Sequence, residues 1–317
     1  MSIQEYGRVP FITEAALREH KVYEPADGRF RAAARAQQAL FRESRGWAIG
    51  MYPFAGETQR EIGSYLGETD LDCNFISPEV ARLARLEVAY REDDALIEVN
   101  RLYRNMLSSH PATFNFFGPM KLDLKLATAV AKRLCPDFVQ KVTGVLFEHS
   151  PSRRDPAFTN DRTAFDVLLK IKTTSGQHGF VAIEFKFTET LTETPAKLRP
   201  RYDSLAKSSG LYEDPDSVAL RGAPLQQLWR QHMLAAAMLE NGLYSEGRFI
   251  VVAPSMNSHA WDAVSLYRHH LREDGPVSFD AIQLEAIVKA MKSAGAKETA
   301  AALHERYLDF EPLNGLI

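Results

Sequence analysis

Cysteine is scarce. The 317 residues contain only Cys73 and Cys135, with no Cys-x-x-Cys pair. That excludes a zinc knuckle and a disulfide-stapled scaffold. Both thiols are expected to stay reduced and to pack as small hydrophobes, as in a cytoplasmic protein. No uncharged apolar run reaches the roughly 18 residues that a membrane-spanning helix needs. The opening Met1-Ser2-Ile3-Gln4-Glu5 also lacks the apolar core of a signal peptide. The expectation is a soluble cytoplasmic protein with no membrane partner. Positive charge is not in excess either: 38 Lys+Arg against 41 Asp+Glu give a net charge of −3. This argues against coating nucleic acid by bulk charge, although it does not exclude a local basic groove. Neither Gly-x-x-x-x-Gly-Lys nor His-Glu-x-x-His occurs, which argues against a P-loop ATPase and a zincin. The Gly-x-Ser-x-Gly nucleophile elbow is absent as well. No internal repeat or low-complexity tract stands out.

What remains is ordinary globular material: 45% hydrophobic, 25% charged and 10% aromatic. A chain of this length buries about 75% of its unfolded surface, so its core needs no staples. The length fits two domains or one elaborated α/β domain.

Helical patterning dominates the first third. Phe30 to Arg45 is rich in Ala and Arg, both good helix formers. Residues 51–76 read as irregular, punctuated by Pro53, Gly56, Gly63 and Gly67. Ser77-Pro78 supplies an N-cap and a first-turn proline for a helix to Tyr90. A further helix is expected from Ala95 to Leu107, stopped by Pro111. Leu122 to Leu134 predicts a helix closed by Pro136. Strands are expected over Phe138–Phe147, Ala164–Lys172 and Phe180–Phe187, the last two forming a hairpin around the polar turn Thr173–Gly179. Residues 188–215 read as an extended polar loop. Pro224 to Glu240 predicts a helix closed by Gly242, and Arg248 to Ala253 a short buried strand. The remainder reads as helical, over Asp280–Ser293 and Ala296–Leu308.

The chemistry concentrates in Val181-Ala-Ile-Glu-Phe-Lys-Phe187. Strand side chains alternate, so Val181, Ile183, Phe185 and Phe187 face a core while Ala182, Glu184 and Lys186 face the other way. Buried charge is costly unless it is paired or binds metal; the alternative is a surface Glu–Lys pair on an edge strand. In the preceding strand, Phe165, Val167 and Leu169 share one face, and Ala164, Asp166 and Leu168 the other. A hairpin would set Asp166 opposite or diagonal to Glu184. Two carboxylates that close repel unless a proton or cation lies between them, and Mg²⁺ suits such oxygen donors.

Asp166 followed by Glu184-Phe185-Lys186 across a strand–turn–strand resembles the PD-(D/E)XK nuclease superfamily. The order of elements over residues 122–253 also matches that superfamily's restriction-endonuclease-like core of helix, three strands, helix and strand. The resemblance implies an α/β fold with mainly helical N- and C-terminal additions, and Mg²⁺-dependent phosphodiester hydrolysis, with Mn²⁺ able to substitute. Asp166, Glu184 and the backbone carbonyl of Phe185 would hold the metal, and Lys186 would position the water. Phe165 stands where the family often has proline, a departure the superfamily tolerates. Further stretches resemble a narrower bacterial set of such proteins: Ser108–Gly118, Phe147–Pro151, Asp161–Asp166 and Gln227–His232. On this reading residues 1–110 form a helical region, 111–255 the nuclease-like core, and 256–317 a helical region packed on it.

Secondary candidates flank the motif. Glu148, closing the first strand, is an extra acid or metal ligand, or else the partner of an arginine nearby. Gln227 shares a helix face with Arg230 and Gln231 at i, i+3, i+4 spacing. Exonuclease branches of the superfamily place a glutamine there against the site; the alternative is an ordinary exposed side chain. Arg153, Arg154, Arg162 and Arg230, with Lys197, Arg199, Arg201 and Lys207, are candidates for phosphate contacts or a solvated basic face. His149, His232 and His269-His270 read as surface or core residues. DNA is the expected partner. The alternative is a catalytically inactive module of the same fold, binding nucleic acid or serving as a subunit of a defence or repair complex. A homodimer or a partner subunit is compatible with either.

Overall fold

The computed structural model describes residues 8–52 and 59–316. The chain begins with the short helix α1 (Glu14–Glu19) and with α2 (Arg29–Ser44). An antiparallel pair follows, β1 (Ile49–Tyr52) and β2 (Arg60–Leu66). The stretch expected to be irregular thus holds a hairpin, whose connection 53–58 lies outside the described residues. Gly63 is what lets it pack: a Cβ there would sit 2.2 Å from the His20 carbonyl and 3.1 Å from Ala39 on α2. A glycine that reads as punctuation in the sequence serves here as a close approach inside a strand.

The next helices are α3 (Pro78–Ala89), α4 (Val99–Arg104), α5 (Ser109–Leu122) and α6 (Leu124–Leu134). α3 starts as predicted, with the Ser77 hydroxyl accepting from the Val80 N–H. The predicted helix 95–107 shrinks to α4, and Pro111 does not end it. Pro111 sits in the first turn of α5, behind the N-cap Ser108, where a missing N–H costs nothing.

The centre is a five-stranded sheet in the order β3 (Val139–His149), β4 (Phe165–Thr173), β5 (His178–Phe185), β6 (Glu246–Ala253), β7 (Val277–Gln283). β3, β4 and β5 pair antiparallel, whereas β5, β6 and β7 pair parallel. α7 (Pro200–Ser208) and α8 (Gln226–Glu240) connect β5 to β6, and α9 (Ser258–Arg268) connects β6 to β7. α10 (Leu284–Ser293) and α11 (Lys297–Tyr307) complete the fold. Two expectations are corrected here. The segment 188–215 contains α7, and the C-terminal part contributes a strand, β7, as well as helices.

Both faces of the sheet are covered. Val167, Leu169, Val181, Ile183, Phe185 and Val252 face one apolar cluster with residues from α2, α3, α5, α6, α10 and α11. Leu168, Phe180, Ala182, Phe249 and Val251 face a second, packed under α7, α8 and α9. The alternation predicted for β5 therefore holds. Phe165 departs from it, joining Leu168 in the second cluster rather than Val167 in the first. The reason is local. The β4–β5 register ends at Val167↔Ile183, and beyond it the Phe185 N–H donates to the Asp166 carboxylate (2.7 Å) instead of to backbone.

Candidate active site

Just past the last β4–β5 pair, Val167↔Ile183, the Asp166 carboxylate accepts from the Phe185 N–H, which brings it close enough to Glu184 for the two charges to interact. β5 is the middle strand of the sheet, so its polar pair is not a surface pair on an edge. Glu184 is 1% and Lys186 6% exposed. β5 ends at Phe185, yet the Lys186 N–H still donates to the Val252 carbonyl of β6 (2.8 Å), which fixes the lysine beside the glutamate. The Lys186 ammonium lies 2.8 Å from Glu184 Oε1.

α8 completes this arrangement from above. Gln227 Nε2 donates to Glu184 Oε1 (2.7 Å), and Gln227 Oε1 accepts from Lys186 Nζ (2.9 Å). One amide thus reads both charges, which its donor and acceptor ends allow. One turn on, Gln231 Nε2 donates to Glu184 Oε2 and to the Ala164 carbonyl. Gln231, noted in the sequence only as sharing a face with Gln227, is a site residue that sequence reasoning missed. Its signal was that i, i+4 spacing.

The electrostatics are crowded. Burial pushes the Asp166 carboxyl well above its ordinary pKa, and the neighbouring Glu184 and Glu148 charges push it further. Burial opposes the charged form of Lys186, but Glu184, Asp166 and Glu189 together outweigh it, and its pKa rises. The lysine stays protonated.

Glu148 lies at the end of β3 with a left-handed backbone (φ 45°), which is uncommon outside glycine. Its carboxylate is 3.5 Å from His110 Nε2 in the first turn of α5. Arg153 touches Glu148 only at the backbone carbonyl (2.5 Å) and pairs with Glu92. Arg154 and Arg162 both pair with Asp94, so none of the three arginine side chains is the partner of the Glu148 carboxylate. Arg230 reaches Asp161 (2.9 Å) and the Thr163 hydroxyl (3.0 Å). Asp161 also accepts from Thr159, Thr163 and Tyr202. His149 pairs with Glu92, and His232 is buried in the second core cluster's surroundings.

Glu189, three residues past Lys186, was not anticipated. Its carboxylate accepts from the N–H groups of Phe187 (3.0 Å), Thr188 (3.1 Å) and Ser109 (2.9 Å). It therefore ties the chain leaving the site to the N-terminus of α5, where a negative charge is favoured. Burial opposes this carboxylate's charge, but Lys186 and the Ser109 N–H prevail and lower its pKa.

These groups line one cleft of about 940 Å³. Glu148, Asp166, Glu184, Phe185, Lys186 and Gln227 all face it, as do Arg162 and Arg230. Arg153 and Arg154 are not among its lining residues. Among the described residues no cluster of three or more His, Cys, Asp or Glu side chains forms a ready metal cage. A cation here would have to combine two carboxylates with backbone oxygen and water, as Mg²⁺ commonly does.

The chain belongs to the PD-(D/E)XK nuclease superfamily, whose model matches residues 25–309. Its mixed α/β architecture, with helices on both faces of the five-stranded sheet, is that superfamily's restriction-endonuclease-like fold. No curated protein and no solved structure matches the chain. Among the described residues no helix is long and apolar enough to cross a membrane.

Proposed function

We propose that the protein is a metal-dependent nuclease that hydrolyses phosphodiester bonds in DNA. One observation carries the reading: in a member of this superfamily, Asp166, Glu184 and Lys186 converge on a single cleft, with Glu184 and Lys186 nearly removed from solvent. The donor set fits a hard divalent cation. Asp166 and Glu184 repel each other, and Lys186 is the one cation beside them among the described residues; an oxygen-binding cation relieves that conflict. Asp166, Glu184 and the Phe185 carbonyl would hold Mg²⁺ or Mn²⁺, with Glu148 as a further oxygen donor. Bound there, the ion supplies Lewis-acid polarisation of the phosphate and a lowered pKa for a coordinated water.

The chain's own residues supply the rest. Lys186, held protonated, donates to the attacking water or to the phosphate oxygen on which charge develops. Gln227 fixes the spacing of Lys186 and Glu184, and Gln231 fixes the second carboxylate oxygen. Arg162 and Arg230, on the cleft lining, contact phosphates; Arg153, buried against Glu92, and Arg154, off the lining, have no such role in this reading.

The test incubates wild type, Lys186→Ala and Asp166→Ala with linear and circular DNA, single- and double-stranded, in Mg²⁺, Mn²⁺ or EDTA. Cleavage by wild type alone, blocked by EDTA, is expected. Lys186→Ala should lose about 10²-fold or more in kcat, the scale of removing one preorganised donor, while keeping the wild-type circular dichroism spectrum. Full cleavage by Lys186→Ala would sink its assigned role. No cleavage by a folded wild type in either ion would point to the inactive binding module instead.

A further inference from the structure

The reacting groups lie deep, and the space above them is small. Glu184 and Lys186 are 1% and 6% exposed, at the base of a cleft of about 940 Å³. That volume is in the range that encloses a drug-sized molecule, about 300–1,000 Å³. It has room for a few nucleotides of one strand beside those groups.

Two segments outside the sheet line the cleft, residues 91–101 and 189–199. Each brings an uncommitted cation. Arg91 and Lys197 both line the cleft and are exposed, and among the described residues neither has an ion-pair or hydrogen-bond partner. Deeper in, Arg230 binds Asp161 through NH1, but its buried Nε–H has no partner. A buried donor left open costs the fold unless something accepts from it. Apolar surface stands beside the cations. Leu96, on the lining, is 60% exposed, and Tyr90, preceding Arg91 in the chain, is 84% exposed. Cations that track a backbone, with aromatic and apolar faces for unstacked bases, are what single-strand binding uses.

We propose that the cleft takes a single nucleic-acid strand, its phosphates held by Arg91 from one lining segment and Lys197 from the other, with bases turned onto Tyr90 and Leu96. The substrate is then a single-stranded stretch or a frayed end, not an intact duplex. This rests on the nuclease reading for cleavage but not for binding, so the two are tested separately.

Binding is measured with Lys186→Ala in EDTA, using a labelled single-stranded oligonucleotide and a blunt hairpin duplex of the same length. Cleavage is measured with wild type and Mg²⁺ on single-stranded DNA and covalently closed duplex circles. Single-strand binding at least about tenfold tighter is expected, with closed duplex circles left intact. The double substitution Arg91→Glu/Lys197→Glu, made in the Lys186→Ala background, should weaken single-strand binding and lower the slope of log K against log[salt] by about 1.4, or about 0.7 for each lost phosphate contact. Tyr90→Ala should weaken binding without changing that slope. Equal or tighter duplex binding, or closed circles cut as fast as single strands, would overturn the inference while leaving the nuclease reading intact. If wild type cuts nothing, the nuclease reading fails, and the binding arm alone decides this one by the same criteria.

Discussion

Asp166 is held where its charge is disfavoured. Burial, Glu184 and Glu148 all raise its pKa, while Lys186 and the Phe185 N–H favour the anion and are outweighed. A carboxyl raised in the folded state stabilises fully below its unfolded pKa of about 3.9. That contribution is lost as pH rises through the folded value. At neutral pH the metal-free protein therefore carries a strained acid, which Asp166→Asn removes while its amide oxygen still accepts from Phe185. The expectation is a higher Tm for Asp166→Asn than for wild type in EDTA, together with loss of cleavage. Added Mg²⁺ should raise the Tm of wild type, because a ligand binding only the folded state stabilises it, and should leave the variant nearly unmoved. Thermal melts of both proteins with and without Mg²⁺ decide it; a less stable variant in EDTA would contradict the charge argument. The closeness of Asp166, Glu184 and Lys186 was legible because strand alternation and a hairpin register sufficed. Glu189 and His110 were not, because their places depend on how α5 meets the end of β5, which no local pattern encodes.

At the scale of elements, proline decided several readings. Pro78, preceded by Ser77, reads correctly as a helix start. Pro111 and Pro200 also stand in the first turns of their helices, α5 and α7, but Pro111 suggested a stop and Pro200 lay in an apparent loop. Proline is compatible with either side of a boundary, and only the cap residue separates them. β7 was hidden because its residues run directly into α10 without a turn signal. α8 was clear from its apolar spacing, and it also carries a pH dependence. His232 is buried among Phe249, Tyr267 and Phe279, with Nε2 against the Val277 carbonyl (2.9 Å). Burial lowers its pKa to about 4, against an ordinary value of about 6.5. A depressed histidine leaves stability intact above the unfolded pKa, and that stability falls as pH drops from about 6.5 toward about 4, by about 3 kcal/mol in all. Urea midpoints measured across that range should fall for wild type and fall less steeply for His232→Phe. Identical slopes would remove His232 as the cause.

Among the described residues, the largest apolar cluster draws on the N-terminal, central and C-terminal regions alike. One apolar cluster runs from Ile12 through the sheet to Leu313. Tyr307 of α11 packs against Phe116 and Phe187 and receives a hydrogen bond from Asn115 on α5 (2.6 Å). Arg306, fully buried, donates to Asn74 and to the Cys73 carbonyl. A chain ended after residue 255 would lose β7 and leave these groups open, each large apolar side chain removed costing about 3–5 kcal/mol. With a total stability of about 5–15 kcal/mol for a typical protein, no cooperative unfolding transition is expected for that fragment. Calorimetry showing a sharp transition would mean that the central region stands alone. Such reach across the chain is why the packing of residues 256–317 on the core could be expected from sequence while the particular contacts of Arg306 and Tyr307 could not.

The protonated state of Lys186 has a chemical consequence of its own. An amine kept as ammonium by three carboxylates has no free lone pair, and it lies at the base of a narrow cleft. Amine-acylating reagents at neutral pH should modify exposed Lys197 and pass over Lys186. Covalent ligands aimed at the lysine would therefore fail where it matters most, and small ligands that hydrogen-bond to its ammonium and to the Gln227 amide would be the better chemical entry to this site.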